Sequence, residues 1–556
     1  ASGKTMLLKK WVVDPASNAV TLSGISTDGS KAWLLDGAGK VSFTDAANWH
    51  EGNNSSIDTS GGSTSGTGNS GSIVDGDSNT INNNGDTNGT NGGTGMQVDG
   101  NTNDINNNGN NSGTNGGTGT KVDGDGNTID NKGNNTADGS GSAGTDVDGN
   151  NNAINNGGEN SGTNGGTGTK VDGNDNRIDN NGSNTADGEG SKGTDATGDG
   201  NAINNNGDNS GANGGTGTKV DGDGNTIDNK GNNTADGSGS AGTDVDGNNN
   251  AIINGGENSG INGGTGTKVD GDSNDINNKG NNTADGQGSA GTAVDGNSNT
   301  ISNGGDNTAT NGGTGTDVTG DKNKINNEGD TSATNGGTGT KVDGNDNIID
   351  NKGNIAVDGQ GSTGSDITGT TNTINNNGNS TVTDGATGTK VSGDGNAVIN
   401  TGELSTASSD GSKPSTGVDV SGNNNQITQN GKLAVGDYSI GIKIDGKGNT
   451  VNLASADMSV TGQQATGANI SGESNTVMLT GNMVVNKDQK SPLAADNFYN
   501  ASTGINVSGT NNTVTLDGQL KVVADTEKTT SEYTKFDGSQ EHINGVVVTG
   551  DNNRVD

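Results

Sequence analysis

Nineteen times along this chain an aliphatic residue is followed by Gly two positions on, Asn five positions on and Ile or Val seven positions on. The motif opens at Val74, Val98, Val122, Val147, Val171, Ala196, Val220, Val245, Val269, Val294, Val318, Val342, Ile367, Val391, Val420, Ile444, Ile470, Val507 and Val548. Up to Val391 the steps are 24 or 25 residues, and from Val122 to Val318 they alternate into a 49-residue double repeat. A fixed period of this length is the signature of a solenoid whose units stack to bury a shared core.

Composition argues the other way. Of 556 residues, 22% are hydrophobic, 2% aromatic and 107 are Gly, and the formal charge is −38. A chain like that ordinarily buries too little apolar surface to offset its ordering entropy and stays disordered. The C-terminal coils decide the matter. From Val420 onward the residues between anchors diverge and the spacing stretches to 37 and 41, yet the motif survives whole at Val507–Val514. Change everywhere except at the motif implies that the motif has a structural role.

One coil reads as follows. In a strand, alternate residues share a face. Val122 and Thr120 therefore point to one side, inward, and Lys121 and Asp123 to the other. Gly124 ends the strand at a corner, where a residue without Cβ can take positive φ. Asn127 and Ile129 share a side, with Ile129 inward on a second strand, and Gly133 makes the next corner. A third, weaker side follows through Asn134–Ser142. Three short sides predict an all-β, right-handed parallel β-helix of about 24-residue coils and at least 19 coils. At about 4.8 Å per coil this gives a rod roughly 90 Å long. One Val, one Ile and one Thr make a thin core. The recurrent Asn is expected to supplement it as an amide ladder between coils, or else to serve as a left-handed turn residue.

The outward position before the anchor runs Lys121, Asp146, Lys170, Asp195, Lys219, Asp244, Lys268, slips at Ala293 and Asp317, and resumes at Lys341, Asp366, Lys390, Asp419 and Lys443. Stacked in register, these place opposite charges on adjacent coils. Each exposed pair is worth only a few tenths of a kcal/mol, but a slip of one coil opposes like charges.

Residues 1–50 hold all three Trp (Trp11, Trp33, Trp49) and read as an N-terminal cap or atypical first coils. Residues 51–73 read as a Gly/Ser-rich linker or degenerate coils, 74–419 as the regular array, and 420–556 as divergent coils with long insertions. Residues 1–30 show no charged-then-apolar signal segment, and the chain stops directly after a motif, so a longer parent protein is expected.

An acidic surface argues against nucleic acid, and no run approaches the roughly 18 apolar residues of a membrane span. The Asp column (Asp75, Asp99, Asp123, Asp148, Asp172) offers oxygen ligands for Ca²⁺. It lacks the sixth-position Gly and distal Glu of a calcium loop, so a solvated acidic face is expected, with no metal and no cofactor. Paired carboxylates could hydrolyse glycosides, but Asp is so frequent that any spacing occurs. The Thr column (Thr120, Thr145, Thr169, Thr194) points inward by parity with Val122. Aromatics gather in the insertions, with Phe498 and Tyr499 in residues 482–504 and Tyr533 and Phe536 in 521–546, beside His542. These four aromatics are the expected ligand-binding residues, because loops on rigid scaffolds bind partners and aromatics supply contact energy.

The coils Val507–Val514 (VSGTNNTV), Ile470–Val477 (ISGESNTV) and Val420–Ile427 (VSGNNNQI) resemble those in passenger domains of enterobacterial autotransporter adhesins of the diffuse-adherence type. The resemblance covers residues 74–556. It implies a non-catalytic β-helical passenger displayed on the cell surface through a C-terminal outer-membrane β-barrel that this chain lacks. Its partners would be a host matrix protein, a glycan or another copy of itself, in adhesion, self-association or biofilm formation. A polysaccharide-binding or polysaccharide-processing β-helix and a plain structural stalk are the alternatives.

Overall fold

The computed structural model describes residues 50–486, 502–523 and 543–556 in full, and residues 6–13, 20–26, 31–35, 41–45 and 48–49 as backbone strands. Every regular element among these residues is a strand. They form a three-sided parallel β-solenoid of about 18 turns, each of about 24 residues. The chain divides into two compact units, Ala1–Ser259 with Gly264–Asp270, and Gly260–Gly263 with Gly271–Asp556.

In the first unit one coil shows the plan. Thr118–Asp123 is the anchor side, Thr128–Asn131 the second side and Asn135–Asp138 the third. Each pairs in parallel with its counterparts one coil away. Val98, Val122 and Val147 are in register, as are Ile105, Ile129 and Ile154, and Asn111, Asn135 and Asn160. The second unit repeats the plan, with Val318, Val342 and Ile367 in register on the anchor side and Ile325, Ile349 and Ile374 on the second. Parallel stacking satisfies the backbone without large side chains. The parity reading holds, since Val122, Thr120 and Ile129 are all fully buried.

Before the solenoid, Met6–Val13, Val20–Ser26, Lys31–Leu35 and Val41–Asp45 form an antiparallel meander. Residues 48–65 already run as a coil: Asn48–Glu51, Ser56–Thr59 and Gly62–Ser65 pair in parallel with the strands of the Val74 coil.

The first corner explains the Gly and Asn of the motif. Gly124 has φ +143, and a Cβ there would lie 2.1 Å from the carbonyl oxygen of Gly100 in the coil before. The same conflict recurs at Gly149, Gly173 and Gly222, so stacking at coil spacing leaves no room for any side chain. The motif Asn forms a ladder, but not the expected amide-to-amide one. The Oδ1 of each accepts the backbone N–H of the corresponding Asn one coil back: Asn103 N–H to Asn127 Oδ1 at 2.8 Å, and Asn225 N–H to Asn250 Oδ1 at 2.7 Å. These side chains therefore satisfy corner N–H groups that cannot reach another carbonyl. Nor are they the left-handed residues. That conformation falls one position earlier, at Thr102, Asn151, Asp175 and Asn249.

The third side is a full sheet rather than a weak one, and the interior where it meets the second side is polar. Asn131 and Asn135 are fully buried, as is Thr145 of the next coil. Asn131 donates to Asn156 Oδ1 at 2.9 Å and to Thr145 Oγ1 at 3.3 Å. Its own Oδ1 accepts from Asn107 at 2.7 Å and Asn111 at 3.2 Å. Asn135 donates to Asn156 and Asn160 and accepts from Asn111 and Thr145. Each amide thus makes all four of its hydrogen bonds. The pattern continues through Asn180, Asn205, Asn229 and Asn254 in one column and Asn184, Asn209, Asn233 and Asn258 in the other. The Asn-rich composition that reads as disorder is largely this interior and its corners.

Candidate functional site

The outer face of the anchor side carries the densest charge chemistry. Alternation in the strand turns two residues outward per coil, the one before the anchor and the one after it. The first column alternates Lys and Asp. The second is largely Asp: Asp123, Asp148, Asp172, Asp221, Asp246 and Asp270.

Stacking brings these columns together as ion pairs. Lys121 Nζ lies 2.5 Å from Asp123 and 3.1 Å from Asp148. Lys170 bonds Asp172 and sits 3.5 Å from Asp146. Lys219 bonds Asp246 and lies 3.2 Å from Asp244, and Lys268 bonds Asp270 and lies 3.6 Å from Asp244. In the second unit the pairing runs Lys341 to Asp317 at 3.1 Å, Lys390 to Asp366 at 3.3 Å and Lys443 to Asp419 at 3.1 Å. The opposite charges expected on adjacent coils are in contact at these positions, but Lys121 pairs with Asp148 in place of Asp146, and Asp195 pairs with Lys192 of its own coil.

Two groups approach the geometry of a cation site. Asp146, Asp148 and Asp172 bring carboxylate oxygens within 4.8 Å of one another, and Asp244, Asp246 and Asp270 repeat the arrangement. In each a Lys ammonium already stands among the oxygens, Lys170 in the first and Lys268 in the second. Burial pushes the Asp146 and Asp244 carboxyls above the ordinary carboxylate range, against the pull of their Lys neighbours. For Lys170 burial opposes the charge, but Asp146 and Asp172 outweigh it and the ammonium is held well above its ordinary range. A divalent ion would have to displace a covalently tethered cation.

The Thr column lies inside, with Thr120, Thr145, Thr169 and Thr194 all fully buried and tied to Asn. It offers nothing to solvent. Phe498, Tyr499, Tyr533 and Phe536, like His542, lie outside the described residues. Strands that flank the two insertions are described. Asn482–Val485 and Gln519–Val522 are third-side strands, and Thr503–Thr510 and Asn544–Thr549 are the anchor strands that follow them. Both insertions thus replace the third corner. Coil register resumes across each, with Ile470 opposite Val507 and Val507 opposite Val548.

The functional residues that sequence reasoning missed are structural ones. From the Val74 coil to the Val294 coil, Asn recurs nine positions after the anchor without exception, and thirteen positions after it in every coil but the first, where Thr87 stands. That recurrence was the available signal. No known protein-family model matches the chain.

Proposed function

We propose that this chain is a non-catalytic bacterial surface scaffold of the adhesin-passenger kind, working in adhesion or self-association through many equivalent weak contacts. The observation behind this reading is the equivalence of the outer faces. Lys121, Lys170, Lys219 and Lys268 occupy the same outward position at every second coil, each in ion-pair contact with two Asp. A surface that repeats itself gives multivalency, in which many weak contacts add up by raising effective concentration. The sequence resemblance to autotransporter adhesins supplies the location, the bacterial cell surface. It also supplies the partner classes: a matrix protein, a glycan or a second copy.

The insertions at the third corner are the place for a specific partner. They interrupt the solenoid at one corner, and they contain Phe498, Tyr499, Tyr533 and Phe536. Two deletions on the full chain, probed on a glycan and matrix-protein array, separate the contributions. Removing coils in 49-residue steps between Val122 and Val318 preserves register and is expected to spare specific binding while weakening self-association. Trimming residues 487–501 and 524–542 to short turns is expected to abolish specific binding. Binding that is lost with the array and kept without the insertions would place the function on the repetitive face instead.

A further inference from the structure

Seven third corners share one turn, Asn-Gly-Gly, at Asn91, Asn115, Asn164, Asn213, Asn262, Asn311 and Asn335. Their φ angles are nearly the same. The Asn φ values lie between 50 and 54, and those of the following Gly between 77 and 88. The turn sequence and its φ angles are therefore held constant across the seven, while the neighbouring coil differs.

In five of them the amide of the Gly after Asn is capped. Gly116 donates to Ser142 Oγ at 2.9 Å, Gly165 to Ser191 at 2.8 Å, Gly214 to Ser240 at 2.9 Å, Gly263 to Ser289 at 2.9 Å and Gly336 to Ser362 at 3.0 Å. Each Ser belongs to the longer Asp-Gly-x-Gly-Ser corner of the next coil and is buried. Four of these hydroxyls also donate back to the carbonyl of Asp138, Asp187, Asp236 or Asp285. The alternation of 24- and 25-residue coils is thus an alternation of a capped corner and a capping one. It fails twice. After Asn91 and after Asn311 the next coil carries another Asn-Gly-Gly corner, at Asn115 and Asn335, with no Ser in position. No hydrogen bond holds the amide of Gly92 or Gly312 among the described residues.

Asn-Gly is the step at which a main-chain nitrogen most easily reaches its neighbour's side-chain carbonyl, because Gly has no Cβ to obstruct the approach. The nitrogen of the Gly attacks Cγ of the Asn. A new N–Cγ bond forms, the Cγ–Nδ2 bond breaks, and ammonia leaves as the amide proton passes to solvent. Water then opens the cyclic imide at either carbonyl, leaving aspartate or its backbone-shifted isomer. An amide held by a hydroxyl must break that bond before it can attack, and a free one need not.

We infer that Asn91 and Asn311 are the third-corner sites of spontaneous deamidation, and that the Ser caps protect the other five. Between the two, Asn91 is the more open. Its Nδ2 bonds only Ser65 Oγ at 3.0 Å, whereas Asn311 is held by Asp285 at 2.6 Å.

The experiment is peptide mapping by mass spectrometry of the intact folded chain after incubation at mildly alkaline pH. Asn91 and then Asn311 should convert fastest, roughly two- to tenfold ahead of the five capped sites, the factor a single net hydrogen bond supplies. Ser240→Ala should bring Asn213 alone up toward the rate of Asn91. Equal rates at all seven turns would overturn the inference. So would an unchanged Asn213 in the variant. A joint acceleration of Asn164, Asn213 and Asn262 would also overturn it, by showing general loosening in place of a lost cap.

Discussion

The coil that opens at Val122 and the coil that opens at Ile470 share a backbone plan but not an interior. In the first, the inner positions besides the Val and Ile columns include Thr120, Asn131 and Asn135. In the second the same three positions hold Ala468, Leu479 and Met483, equally buried. The change is graded. The thirteenth-position column turns first, through Thr331, Ile355, Ser380 and Leu404, while the ninth keeps its amides as far as Asn400 and Gln429. That order has a reason. Ninth-position amides bond along their own column, as Asn351 to Asn376 and Asn376 to Asn400, so they survive without a neighbour column. They also keep a hydroxyl partner, because the hydroxyl column outlasts the thirteenth-position amides: Asn327 still donates to Thr340, Asn351 to Ser365 and Asn376 to Thr389. Two interiors, one a closed hydrogen-bond network and one aliphatic, hold the same coil.

The sharpest way to break this comparison is to put an amide in the wrong interior. Leu479→Asn leaves a buried amide between Leu453 and Leu516, with no column to join. The lost burial, about 2–5 kcal/mol, adds to an unsatisfied polar group of about 1–3 kcal/mol. Hydrogen exchange should show the strands around Thr476–Leu479 opening, because solenoid stability is nearest-neighbour in character. An exchange pattern like that of the parent would mean that this interior admits water, and the two-interior contrast would fall.

The reverse probe is Asn135→Ala. It removes an acceptor from Asn111 and Thr145 and two donors, to Asn156 and Asn160. Each donor left buried without a partner costs roughly 1–3 kcal/mol, so a loss of several kcal/mol is expected, read as faster exchange in Asn111–Thr114, Asn135–Asp138 and Asn160–Thr163. Asn135→Leu should be no better than Ala, although Leu404 and Leu433 occupy the same column without penalty. A rescue by Leu would show that volume matters in this interior more than hydrogen bonding does.

These residues also mark how far the sequence could be read. Val122, Thr120, Gly124 and Ile129 are legible because each follows from strand parity or from a corner that excludes Cβ. Asn127 is legible as a stacking residue but not in its bond, since a sequence does not say whether Oδ1 or Nδ2 does the work. Asn131 and Asn135 escape because an isolated polar residue is read as facing water, and only the stacked coil supplies four partners. The Ser cap escapes for the same reason, as Ser240 and Gly214 are 26 residues apart and meet only when coils stack. The aromatic residues proposed to bind partners lie in segments without the repeat, where periodicity offers no purchase.

An intermediate effect belongs to the corner ladder, which both regions share. Asn225→Ala with Asn250→Ala takes the acceptors from the backbone N–H groups of Asn201 and Asn225. Two orphaned corner donors should cost about 1–3 kcal/mol each. The matching change in the aliphatic region, Asn475→Ala, orphans the N–H of Asn449 and also takes the Nδ2 donor from the carbonyls of Gly446 and Ser471, so this single change should cost about 1–3 kcal/mol. A thermal melt of the double variant that overlays the parent would demote these Asn to solvated turn residues.

The smallest effect is expected at the surface ladder, despite its density of charge. Lys219 is held by Asp244 and Asp246, yet an ion pair near the surface contributes roughly 0–1 kcal/mol, and Lys219→Met should lower stability by no more than that. The pH dependence carries the sharper test. Burial opposes the Lys219 charge, but its Asp neighbours outweigh burial and raise the group above its ordinary 10.5. A raised Lys binds its proton more tightly folded than unfolded, so its contribution is fully present below pH 10.5 and disappears as the pH climbs through the folded value. Asp244 behaves in the opposite sense to a paired surface carboxylate. Burial raises it above 3.8, so the folded state favours its neutral form, and ionisation above the raised value removes stability. Mild acidification should therefore leave this face intact, whereas strong alkali should loosen it. The coils that open at Val318 and Val342 provide the control, because Lys341 meets Asp317 with a more exposed geometry. If alkaline melting of the parent and of Lys219→Met coincide from neutral pH upward, the ladder sets register alone and adds no stability.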